Sequence, residues 1–111
     1  MKDIWDVVTI EKVRTAYARI GKGAKRGSWA CLDGTCALGA VYWASRNRMP
    51  PSPDEVSEFL NVPLGQTRAF ILGFDAVYNG NPFDAERTPG AFAAFAHGQS
   101  IANEVLSAPT A

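Results

Sequence analysis

A chain of 111 residues, 47% apolar and 20% charged, can bury one hydrophobic core without staples, and this composition excludes wholesale disorder. No apolar run approaches the ~20 residues of a membrane helix. Eleven Lys/Arg balance eleven Asp/Glu, but unevenly: residues 1–48 hold nine cations against four acids, and residues 49–111 hold two against seven. The two parts, +5 and −5, could steer oppositely charged partners, pair the chain with itself, or neutralise each other across the fold.

Met1–Val8 is either a short helix or an extended arm. Thr9 suits an N-cap for a helix with Ile10, Val13, Ala16, Tyr17 and Ile20 on one side, ended by Gly21. Arg14 and Arg19 fall away from that stripe. The loop Gly21–Gly27 (GKGAKRG) combines glycines with Lys22, Lys25 and Arg26, so it is a candidate anion contact. It lacks the lysine spacing, the Ser/Thr and the preceding strand of a P-loop.

The stretch from Trp29 to Arg48, WACLDGTCALGAVYWASRNR, organises the rest. Asp33-Gly34 predicts a two-residue hairpin turn. With the turn there, Leu32 faces Thr35, and Cys31 faces Cys36 at about 4.5 Å between Cα atoms, which a disulfide tolerates. A reducing, cytoplasmic setting favours two free structural thiols instead. The run after Cys36 reads as a central helix to about Arg48, buried on more than one side, with Ala37, Ala40, Ala44 and Val41 sharing a face. Arg46 and Arg48 suit its C-terminal end.

The segment Trp29–Ala44, a tryptophan followed by an Asp-Gly turn and Cys-Ala-Leu-Gly-Ala opening a helix, resembles small bacterial and phage domains of unknown function. The resemblance implies a phage or mobile-element accessory origin and carries no activity with it.

Met49-Pro50-Pro51 ends the central helix. Ser52-Pro53-Asp54-Glu55 then supplies N-cap, N1 proline and N3 glutamate, the pattern of a capping box, with Val56, Phe59 and Leu60 on the apolar side. Asn61-Val62-Pro63 breaks this helix, and another runs from about Leu64 through Ala76. The pair resembles a helix-turn-helix, with Gln66, Thr67 and Arg68 where base-reading residues would stand. The acidic surroundings argue the other way, because DNA binders carry a basic surface. Asn79-Gly80-Asn81-Pro82 marks a turn. Asp75, Asn79, Asn81 and Asp84 lack the ligand order of a calcium loop. Thr88-Pro89 opens the last helix, whose small-residue side (Ala91, Ala94, Gly98, Ile101, Ala102, Val105) packs either inward or against a second copy through residues 91–105. Residues 106–111 form a frayed tail.

The expected fold is a single mainly α domain over residues 1–111, a compact bundle of four to five helices with one short hairpin around Asp33-Gly34. Two cysteines and His97 fall short of a zinc set, no cofactor is implied, and neither a nucleophile–base pair nor a carboxylate pair stands out. The sequence therefore points to a non-catalytic cytoplasmic module that binds a protein or a nucleotide-like anion through Lys22, Lys25, Arg26, Arg46, Arg48 and Trp29. The alternative is a helix-turn-helix regulator using residues 54–72.

Overall fold

Local signals set most of the helix boundaries. Thr9 caps α2 (Ile10–Ile20) by accepting the Lys12 N–H at 3.3 Å, and Gly21 ends it in the left-handed region at φ 68°. Ser52 caps α4 (Pro53–Leu60) by accepting the Glu55 N–H at 3.3 Å, with Pro53 in the first turn. Asn47 and Asn61, at φ 58° and 59°, close α3 (Ala37–Arg46) and α4 as asparagine can where few other side chains do. Two further helices, α5 (Leu64–Asp75) and α6 (Ala91–Leu106), and a single turn, α1 (Ile4–Val7), complete the α structure. The computed structural model describes residues 1–24, 30–31 (backbone only), 34–50, 52–75 and 89–106. The turn around Asn79–Pro82, the Thr88 cap and the tail at 107–111 lie outside them.

The protein is mainly α, with six helices and one small sheet among the described residues. The expected short hairpin is present as β2 and β3, within a three-stranded sheet and with a register that differs from the expected one. Strand β3 (Gly34–Thr35) lies between β1 (Gly23–Ala24), parallel to it, and β2 (Ala30–Cys31), antiparallel. Cys31 pairs with Gly34 and Ala30 with Thr35, so Gly34 belongs to a strand and Cys31 does not face Cys36. Cys36 is instead the N-cap residue of α3 and carries a free, buried thiol. The reason is β1. Gly23 and Ala24, read from sequence as loop, claim the other edge of β3, and the Tyr17 hydroxyl donates to the Thr35 carbonyl at 2.7 Å, fixing the strand from the α2 side.

The core gathers around α3, whose residues from Ala37 to Tyr42 are all buried, which bears out a central helix covered on several sides. Its largest neighbour is α2. The most extensive helix contact of all joins α5 and α6, at two glycines. A Cβ on Gly73 would overlap the Phe95 carbonyl oxygen, and one on Gly98 would overlap that of Phe70. The small-residue side of α6 is thus turned inward: Ala91, Ala94, Gly98, Ile101 and Ala102 are buried against the rest of the chain. This removes the stripe from any interface between copies, because α5 already occupies it.

Gly98→Ala tests the contact. In an open helix, alanine stabilises by about 1 kcal/mol over glycine. Here the methyl group meets backbone that cannot rotate away, so we expect a net loss of about 1–3 kcal/mol in urea denaturation. An exposed control, Ala96→Gly, should lose about 1 kcal/mol. A Gly98→Ala protein as stable as wild type would show that the helices are not in backbone contact.

Candidate functional site

An open groove of about 680 Å³ lies between α2 on one side and α3 and α4 on the other, with the start of the chain at its end. Its floor is apolar: Val7, Ala16, Val41, Ala44, Phe59 and Leu60. These residues come from four helices, and two of them are alanines, so the floor is recessed where larger side chains would fill it. Lys2, Lys12 and Arg19 stand on the rim with Glu11, and the hydroxyls of Thr15 and Ser45 also line it.

The rim follows from helix geometry. On α2, Val13 and Ala16 turn into the core, which leaves Lys12, Thr15 and Arg19 on the adjoining face at spacings of three, four and seven. Lys2 is held by the backbone: its N–H donates to the Asn61 carbonyl at 2.9 Å. The next anchor is Gln66. Its Oε1 accepts the Ile4 N–H at 2.9 Å, while its Nε2 donates to Asp3 Oδ1 at 3.0 Å and to the Pro89 carbonyl at 3.1 Å. One buried amide ties the first residues, α5 and the approach to α6 together.

The cations divide into two groups. Arg14 pairs with Glu104 at 3.0 Å, Arg48 lies 3.8 Å from Glu55, and Arg68 lies 3.9 Å from Asp54. Arg46 packs its guanidinium 5.1 Å from the centroid of the Phe59 ring. Lys2, Lys12 and Arg19 have no ionic partner among the described residues. Lys22 also lacks one, but it lies off the groove, so three of these four cations share one rim.

This differs from the sites expected from sequence. Lys22 is half-buried just before β1, and Lys25, Arg26 and Trp29 lie outside the described residues. Arg46 and Arg48 are engaged within the chain, the latter also donating to the Tyr42 hydroxyl at 2.8 Å. Gln66 and Thr67 correct the helix-turn-helix reading, since both are buried. Thr67 Oγ1 accepts the Ser57 hydroxyl at 2.7 Å, and Gln66 spends its amide on three backbone or carboxylate partners, so neither can reach a base edge. Of the three proposed readers only Arg68 is exposed. The one sequence signal for the groove cations is the (i, i+7) spacing of Lys12 and Arg19 on one helix, weaker than the clustered cations of the glycine-rich loop.

The remaining reactive groups serve packing. The His97 Nε2 lies 2.6 Å from the Val8 carbonyl and must donate to it, and its ring meets Phe70 edge-on. Burial pushes the Cys36 thiol up from 9.0 to about 12, with the Asp75 carboxylate adding to the rise and the Gly39 and Leu38 N–H groups offsetting part of it. Burial likewise raises Tyr17. Among the described residues no group of His, Cys, Asp or Glu could hold a metal ion, and no helix is long and apolar enough to cross a membrane.

Two measurements follow. Gln66→Leu strands the buried Ile4 N–H and should cost about 1–3 kcal/mol, with faster hydrogen exchange at Ile4. Unchanged exchange there would refute the clamp. The Cys36 contribution to stability is complete below pH 9, where the unfolded thiol is also protonated, and is lost as pH rises toward 12. Cys36→Ala should therefore flatten the alkaline fall in stability between pH 8 and about 10.5. Parallel pH profiles would contradict it.

Compared with known proteins, the chain matches no family model, no curated protein and no solved structure.

Proposed function

We propose that this chain is a non-catalytic interaction module that engages an anionic partner at the groove between α2, α3 and α4. One observation carries the reading: of the four described cations with neither an ion pair nor a ring contact in the chain, Lys2, Lys12, Arg19 and Lys22, the first three surround a recessed apolar floor. Charge on the rim attracts and orients a partner, while burial of apolar surface on the floor holds it. The proposed setting is cytoplasmic, consistent with the free thiol of Cys36. A phage or mobile-element origin rests on the Trp29–Ala44 resemblance alone.

Titration of the labelled protein with pyrophosphate and with poly-L-glutamate, followed by amide chemical shifts, tests this. Shifts should cluster at Lys2, Lys12, Thr15, Arg19 and Ser45, weaken as salt rises, and vanish in the double variant Lys12→Glu/Arg19→Glu. Shifts confined to the segment around Lys22 would move the site to the glycine-rich loop and refute the groove.

A further inference from the structure

Resting on that reading, we infer that the groove's occupant is an acidic amphipathic helix presented by another protein. Lys12 and Arg19 lie seven residues apart on α2, two turns or about 10 Å along the axis. A helix laid beside α2 presents acids at the same two-turn interval, so both rim charges are met by one face edge. Its apolar stripe then lies over Ala16, Val41, Ala44 and Leu60, in the manner of helix-in-groove recognition. Lys2 approaches from the α4 side and flanks the same stripe.

Other occupants fit less well. A nucleotide base seeks an open aromatic face and several polar groups along its edge. The floor offers one aromatic, Phe59, which is already stacked under Arg46 and contacted edge-on by Tyr42 at 5.3 Å between centroids. Thr9 is committed to capping α2, leaving Thr15 and Ser45 as hydroxyls on the walls. A second copy also lacks the matching element among its described residues. The acids Asp54, Glu55 and Glu104 lie against Arg68, Arg48 and Arg14, and Val56 of α4 is buried in its own core while Leu60 belongs to the groove floor itself.

The probe is a fluorescein-labelled peptide of about fourteen residues, with leucines at i, i+3, i+4 and i+7 flanked by glutamates. Its comparators are a shuffled peptide of identical composition with the stripe broken, and ATP. Each is titrated by anisotropy against wild type, Lys12→Glu/Arg19→Glu and Ala44→Gln, with circular dichroism and thermal melts reporting the fold of each variant. Sedimentation of the free protein accompanies the titrations. We expect the striped peptide to bind at least about tenfold tighter than the shuffled one and to gain helicity on binding. Charge reversal and filling of the floor should each weaken it by about tenfold or more. Equal binding of the two peptides overturns the helix and leaves a purely electrostatic groove. Tighter binding of ATP, lost on charge reversal, replaces the helix with a nucleotide. A dimer abolished by charge reversal replaces it with a second copy. No groove binding by either peptide, ATP or pyrophosphate removes the helix and the groove reading together.

Discussion

The fold depends on the place where α5 and α6 touch through their backbones. Gly73 and Gly98 each face a carbonyl of the other helix, so the pair meets with no side chain between at those points. Dispersion gains from such proximity are individually small and collectively large, and they vanish quickly with separation. Phe70 and Phe74, both fully buried and stacked at 6.4 Å, pack around this contact, as does His97 against Phe70. Fixing α6 fixes His97, and His97 holds the Val8 carbonyl at the end of α1. The opening residues of the chain are thereby bound to its last helix.

The same residues meet a second restraint in Gln66. A buried amide with two donors and an acceptor is costly unless each finds a partner, and here the oxygen and the nitrogen are both satisfied. Gly90, at φ 83°, lies so close that a side chain there would run into Trp5 and Gln66. The groove inherits its shape from this arrangement, because Lys2 and Val7 belong to the segment that Gln66 and His97 pin down. No rim residue needs to be rigid in itself.

What could be read from the sequence divides by range. Caps at Thr9, Gly21 and Ser52 and the break at Asn61-Val62-Pro63 depend on neighbours within a turn or two, and they fall where the residues predict. The orientation of Gln66 depends on Ile4, 62 positions away, and nothing near Gln66 announces it. A glutamine near the start of a helix is equally suited to solvent, to a base edge or to an internal backbone. The α6 stripe was visible as small residues, but small residues fit a partner helix from any source. The hairpin forms beside Asp33-Gly34 as the local turn signal predicts, yet Gly34 joins the strand, and the third strand beside it is drawn from a loop that no local signal marks. Beyond the spacing of Lys12 and Arg19, nothing local marks the groove cations, because their importance lies in lacking partners, a property of the whole charge arrangement.

The sheet, three strands of two residues each, adds little to the core, but its position gives it another part. Gly21 and Lys22 are all that separate α2 from β1, and Cys36 alone separates β3 from α3. The parallel pairing of Gly23 with Gly34 and Ala24 with Thr35 therefore acts as a ruler between the two walls of the groove. A slip of one residue in that pairing would slide one wall lengthwise past the other by about 3.3 Å, more than half of a helical turn. Arg19 would then stand over a different part of the floor. Alignment of charge with cavity is set by four small residues that touch neither.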